Sequence, residues 1–234
     1  MTGIEIVEVG PRDGLQPVKP FYPTADKIAL IRALADAGLR RMEITSFVNP
    51  KLMPQLADAA EIVAAANAMP GLVPQVLVPT AKYGRIALEA GAGVIAYVLS
   101  ASEAHNRSNV NRTVDQSLAD FAGFAADLPA GVELRVNIAT AFDCPFDGTD
   151  ALARTRRVVD RVLAVAPGAE ICLCDTTGRA VPAQVGAVFR AVMEDNPECQ
   201  RWAVHTHDTY GLGVANVLAA VEAGVTVADA AIAG

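Results

Sequence analysis

Eight short apolar runs alternate with longer amphipathic stretches along the whole sequence, and that alternation constrains the fold more than any other feature. The runs are Ile4–Val9, Leu39–Thr45, Leu72–Val78, Val94–Ser100, Glu133–Thr140, Glu170–Cys174, Trp202–Thr206 and Val225–Ile232. Helix-like segments lie between them, near 24–35, 53–67, 80–90, 113–127, 149–165, 181–195 and 211–223. Strands that are apolar on both faces and take turns with helices belong to a parallel sheet covered by helices.

A recurring helix ending supports this. Leu34-Ala-Asp-Ala-Gly38, Leu88-Glu-Ala-Gly91 and Val221-Glu-Ala-Gly224 each stand just before an apolar run, where a glycine suits a left-handed helix cap. Their spacings of 53 and 133 residues correspond to two and four units. Each unit is then about 26–33 residues, the size of a βαβ crossover. Eight such units favour an α/β fold of the TIM (β/α)8 barrel type over an open doubly wound sheet. A dinucleotide-binding reading lacks its motif, because no G-x-G-x-x-G follows the first strand. No linker-like stretch divides the chain, so residues 1–234 read as one barrel domain.

Composition narrows the partners. With 19 Lys+Arg against 26 Asp+Glu the net charge is −7, which argues against nucleic acid or an anionic membrane surface. Cys144, Cys172, Cys174 and Cys199 form no C-x-x-C pair and no disulfide-like spacing. The opening Met-Thr-Gly-Ile-Glu-Ile lacks the features of a signal peptide, and no apolar stretch is long enough to span a membrane. A cytoplasmic, reducing compartment is the expectation.

Barrel chemistry gathers where strands end, and so do this chain's polar residues. Strand 1 runs into Gly10-Pro-Arg12-Asp13-Gly14-Leu-Gln16, and strand 2 carries Glu43 and Thr45. Strand 6 ends in Asp175-Thr176-Thr177-Gly178, and strand 7 in His205-Thr-His207-Asp208-Thr209. Alternate strand residues face one side, so His205 and His207 could hold one ion, or could simply hydrogen-bond to each other. With Asp13 they would make a mixed N/O site suited to Mg2+, Mn2+ or Zn2+. Glu43, inside an apolar strand, needs a partner, and Arg12 is the obvious one, free then to present its donors to an oxyanion. Asp175 is expected to face the barrel interior with Leu173, leaving Cys172 and Cys174 toward the helices. The polar loop after strand 4 offers Arg107, Asn109 and Arg112 to phosphates, or is a solvated loop ending in a helix cap.

Taken together, these residues resemble the hydroxymethylglutaryl-CoA lyase family of metal-dependent TIM-barrel lyases. The likeness rests on Gly10-Pro-Arg-Asp-Gly-Leu-Gln16, Glu43-Ile-Thr-Ser-Phe-Val-Asn-Pro-Lys51, Met53-Pro-Gln55, Cys144-Pro145, Asp175-Thr176 and His205-x-His-Asp-Thr-Tyr-Gly211. Leu15 and the His207-Asp208-Thr209 run set it apart from carbon-chain-extending synthases, which usually have R-D-G-x-Q with an acidic x and H-x-H-N-D. The resemblance implies retro-Claisen cleavage of a 3-hydroxyacyl-CoA, with hydroxymethylglutaryl-CoA giving acetyl-CoA and acetoacetate. It implies Asp13, His205 and His207 as ligands of Mg2+ or Mn2+. Arg12 would stabilise the enolate while Glu43 orients it, and Asp13, His205 or Asp175 would serve as base. Gln16, Arg107, Asn109, Asn137 and Thr176 become the candidate substrate contacts. A homodimer is possible, since related lyases are often dimers.

Two departures follow from the same comparison. Members dedicated to hydroxymethylglutaryl-CoA commonly carry Arg-Gly-Tyr-Val-Ser-Cys on strand 5, whereas this chain has Arg135-Val-Asn137-Ile-Ala139-Thr140. A citramalyl-CoA-like acyl group is thus a second expectation, beside a Claisen-type synthase and a non-catalytic metal- or CoA-binding barrel. The sequence also stops at Gly234, before the family's glycine loop with its mobile cysteine and before the closing helix. The natural protein is expected to continue past that point.

Overall fold

Strands this apolar cannot leave either face in water, and each finds a parallel neighbour. The computed structural model describes residues 3–148 and 150–232. It contains all eight expected strands: β1 (Glu5–Glu8), β2 (Arg41–Ser46), β3 (Val73–Val78), β4 (Val94–Ser100), β5 (Glu133–Ala139), β6 (Glu170–Asp175), β7 (Trp202–Thr206) and β8 (Val227–Ala230). Their hydrogen-bonded order runs from β1 to β8 in sequence and closes into a barrel. The helices are α1 (Thr24–Asp36), α2 (Ala59–Asn67), α3 (Ala81–Glu89), α4 (Glu103–Val110), α5 (Val114–Ala126), α6 (Ala151–Val165), α7 (Pro182–Asp195) and α8 (Gly213–Glu222). No helix among the described residues is long and apolar enough to cross a membrane. The repeated glycines end α1, α3 and α8 at φ +104°, +89° and +112°, where any side chain would be strained.

The chain divides into two compact units. Of the described residues, the first comprises 6–97, 128–133 and 229–232 and is built on β2, β3 and α1 to α3. Val7, Ile31, Met42, Ile44, Ile62, Val76 and Ile95 fill its core. Within it, the Val9 N–H donates to the Ala230 carbonyl at 2.8 Å. The second comprises residues 1–5, 98–127 and 134–228, with β5 to β7 and α4 to α8. Phe121, Phe124, Phe142 and Phe189 are fully buried there, and the last two rings stand 5.8 Å apart.

That second core also holds a cation. Arg135 on β5 has no exposed surface and pairs with Glu170 of β6 at 3.3 Å. Its Nε donates to Asn137 Oδ1 at 2.7 Å, and its Nη2 to Cys172 Sγ at 2.9 Å. Arg201 reaches the other Glu170 oxygen at 3.1 Å.

Three expectations need correction. The polar loop after β4 contains a helix, α4, because Ser102 caps its start through the His105 N–H and Asn111 ends it in a left-handed conformation. The segment expected as one helix over 53–67 is a 3-10 turn (Pro54–Leu56) followed by α2, since Met53 at φ −129° and ψ 73° is not helical and Pro54 suits the start of a helical turn. The facing of β6 is reversed: Cys174 lies beside His205 and Asp175 beside Thr206. Because neighbours in register share a side, Cys172 and Cys174 face with His205, and Asp175 faces the other way. Of the remaining expectations, Thr149 at the start of the 149–165 helix and Gly234 at the chain end lie outside the described residues.

Removing one member of a buried ion pair strands the other. Glu170→Ala should therefore lower stability by about 3–5 kcal/mol in urea unfolding at neutral pH. A loss below about 1 kcal/mol would show that Arg135 does not depend on Glu170.

Candidate metal centre

Glu43 fixes the first half of the site. It sits mid-strand in β2 with no exposed surface, where an ionised carboxylate is tolerated only if it is paired. Arg12 supplies the pairing through Nε at 2.5 Å and through Nη2, and Gln75 of β3 donates to the other oxygen at 2.8 Å. Arg41 in turn donates to Gln75 Oε1 at 3.1 Å. Burial alone would lower the Arg12 pKa, but the charges of Glu43, Asp13 and Asp229 outweigh it and hold the group above its ordinary value.

Arg12 can reach inward because the chain after β1 coils into a π-helical turn, Gly10–Gly14, closed by the Leu15 N–H on the Gly10 carbonyl. Such turns are frequent at functional sites. A Cβ at Gly10 would stand 2.6 Å from Glu8 Oε1, which accepts the Gly10 N–H, so a side chain there would displace that carboxylate. Arg12 Nη1 also donates to Asp13 Oδ1 at 2.5 Å and lies 3.4 Å from Gln16 Oε1. One guanidinium therefore touches Glu43, Asp13 and Gln16.

At the end of β7 and just beyond it, His205 and His207 bring their Nε2 atoms 3.0 Å apart, with rings at 64°. Asp13, His205 and His207 each offer one ligand atom, all within 4.8 Å of one another. The donor set fits a hard divalent cation. Two nitrogens about 2.1 Å from an octahedral ion, at right angles, stand roughly 3.0 Å apart.

The other expected residues are placed as follows. Asp175 is buried; its oxygens accept the Arg179 N–H at 3.2 Å and the Ala180 N–H at 3.1 Å. Burial pushes its carboxyl up, against the pull of those N–H groups. Thr176 Oγ1 accepts the Thr140 N–H at 2.8 Å. Asn137 is buried against Arg135. Arg107 and Asn109 lie on the exposed side of α4, where Arg107 pairs with Glu103 at 3.7 Å. Arg112 pairs with Asp120 at 2.8 Å, and Thr113 makes the capping box of α5. Cys144 is buried, 2.9 Å from Ser102 Oγ.

Two participants escape the sequence reading. Gln75 carried the same signal as Glu43, a polar residue in mid-strand. His105 was hidden because its helix was not foreseen. Its Nδ1 lies 3.1 Å from Ser100 Oγ, which is 2.7 Å from Thr140 Oγ1. Thr140, held at φ +54°, donates its hydroxyl to the Ala139 carbonyl at 2.7 Å, and Ser100 Oγ lies 3.3 Å from the same carbonyl, so His105 joins a compact hydroxyl network.

Known proteins resemble this arrangement throughout. The family profile described as HMGL-like matches residues 3–234. The mitochondrial hydroxymethylglutaryl-CoA lyase of Bos taurus is 40% identical over 232 residues, covering 99% of this chain and 71% of that protein. The crystal structure of the HMG-CoA lyase from Brucella melitensis aligns with a TM-score of 0.92 at 38% identity, over 100% of this chain and 82% of that one. An HMG-CoA lyase from Acinetobacter baumannii, in complex with coenzyme A and 3-methylmalate, gives 0.91 at 37% identity, over 98% and 74%. The cytoplasmic location expected from the sequence is overturned by the cattle enzyme and its chicken and mouse counterparts, all mitochondrial. Composition does not report compartment, because targeting segments are separate from the folded domain.

Burial of the half-buried His105 ring lowers its pKa below the ordinary 6.5. The unfolded chain then takes up the proton first, so this residue's contribution to stability falls as pH drops below about 6.5. Nitrogen-15 NMR should find the His105 ring neutral at pH 7, with a midpoint below 6.5. A midpoint above that value would contradict its burial.

Proposed function

Because the chain belongs to the hydroxymethylglutaryl-CoA lyase family of metal-dependent TIM-barrel lyases, we propose that it cleaves hydroxymethylglutaryl-CoA to acetyl-CoA and acetoacetate. The observation that carries the proposal is the meeting of Asp13, His205 and His207, with Arg12 bonded to the first of them. Mg2+ or Mn2+ is the cation assigned to this N/O donor set. When bound, it supplies a Lewis acid that acidifies the substrate hydroxyl and holds the neighbouring carboxylate.

The chain's own residues do the rest. In retro-Claisen cleavage the hydroxyl loses its proton, the adjacent carbon–carbon bond breaks, and its electron pair moves onto the thioester as an enolate. Arg12 faces that developing oxyanion with a charge that Glu43 holds in place and that burial does not remove. The enolate carbon then takes up a proton to become acetyl-CoA. Of the candidate bases Asp13, His205 and Asp175, the first two belong to the ligand cluster, whereas Asp175 faces away from His205 in register, which favours Asp13 and His205.

Gln16, bonded to Arg12, and Thr176, at the end of β6, are the substrate contacts best supported by position. Arg107 and Asn109, exposed on α4, remain suited to the phosphates of the CoA moiety. A citramalyl-CoA-like substrate is the second reading, favoured by Asn137 and Ala139 where dedicated family members carry Tyr and Ser. The Acinetobacter baumannii relative is in complex with coenzyme A and 3-methylmalate, which supports an acyl-CoA partner for this chain.

Acetyl-CoA release is to be measured with Mg2+ on both acyl-CoAs. Arg12→Gln, confirmed folded by circular dichroism, should lower kcat about 10²–10³-fold with KM little changed. A change confined to KM would remove Arg12 from the transition state. No release from either substrate by the unmodified chain would remove the lyase assignment.

A further inference from the structure

His205 and His207 are held by different means. His205 belongs to β7 and is locked by the sheet, opposite Cys174. His207 lies one residue beyond the strand's last member, Thr206, where the ladder no longer fixes it. Its backbone is packed instead against the turn after β6. Asp175 accepts the Arg179 and Ala180 N–H groups with its two oxygens, while the Gly178 N–H donates to the Asp175 carbonyl at 3.2 Å. These bonds wind 175–180 into a tight turn with Gly178 at φ +67°. Asn216 of α8, fully buried, anchors the far side by donating to the Ala180 carbonyl at 2.9 Å.

Gly178 is the point of contact. A Cβ there would stand 2.5 Å from Thr209 Oγ1, 2.8 Å from Thr209 Cβ and 2.9 Å from the His207 carbonyl oxygen. No side chain fits, so the turn's bare backbone presses directly on the chain at His207–Thr209. Asp208, between them, is tied to the start of α8 through the Gly213 N–H at 2.6 Å. His207 is thereby clamped from two sides.

We infer that Asp175 is a positioning residue for the metal ligand His207, acting through Gly178, and is not the proton carrier of the reaction. The inference rests on the metal-site reading given above. In register Asp175 lies beside Thr206 and faces away from His205, while its carboxylate holds the Arg179 and Ala180 N–H groups that shape the turn. A residue that aims a ligand typically sets metal affinity within a factor of 10–100.

The test is equilibrium Mn2+ binding by electron paramagnetic resonance, joined to turnover at saturating Mn2+. Asp175→Ala and Gly178→Ala should each weaken Mn2+ binding roughly 10–100-fold. The double variant should bind little worse than the weaker single one, because both act along one path. Saturating Mn2+ should restore most of the turnover. Unchanged Mn2+ affinity in folded Gly178→Ala would overturn the inference. So would an Asp175→Ala protein that binds Mn2+ normally but stays inactive at saturation, the signature of a lost base. If Gly178→Ala fails to fold, Asp175→Asn decides: it keeps one acceptor and should show an intermediate loss, whereas wild-type affinity would count against the clamp. His207→Ala separates the two layers. Normal Mn2+ binding by that variant would mean the metal reading itself fails, and the inference with it.

Discussion

A carboxylate with no water around it organises one end of this molecule. Glu43 is enclosed in β2, and the free energy of an unpaired charge there would be several kcal/mol. Arg12 removes that cost, but only if the chain after β1 turns sharply inward. The π-helical turn at Gly10–Gly14 is the local answer, and it carries Asp13 along as the next residue. Gln75 and Arg41 satisfy what remains of the buried network. The position of Asp13 is thus a consequence of solvating Glu43, and the charge on Arg12 is secured by the same arrangement.

The ligands after β7 rest on a different principle. His205 inherits its place from strand register, as does everything the barrel ladder holds. His207 lies past the ladder and depends on backbone packed against backbone, with Gly178 as the only residue small enough for the contact. Asp175 then makes sense as a buried acid that builds a turn. Its raised pKa reflects burial, offset by the N–H groups it accepts. Perturbed acids near a site are often catalytic, yet here burial is a sufficient structural cause.

Much of this was legible in the sequence because it follows from period and burial. Eight apolar runs gave eight strands, and the three helix-ending glycines adopt the left-handed conformation that their position demanded. The Arg12–Glu43 pair was readable because an acid in mid-strand must find a cation. The facing of Asp175 was misread because it depends on how β6 is registered against β7, and a sequence does not display register. The helix α4 was missed because its caps, Ser102 and Asn111, enclose a segment too polar to show an apolar stripe. The partner of the wholly buried Arg135 was not legible, because Glu170 comes beside it only through the pairing of β5 with β6. Compartment could not be read at all, since it is no property of a barrel.

Central to the account is one divalent cation shared by Asp13, His205 and His207. A crystal of the protein grown with Mn2+, with data collected at the manganese absorption edge, addresses it directly. The account predicts one strong anomalous peak within ligand distance of all three side chains. A peak at other residues, or none here at saturating Mn2+, would contradict it.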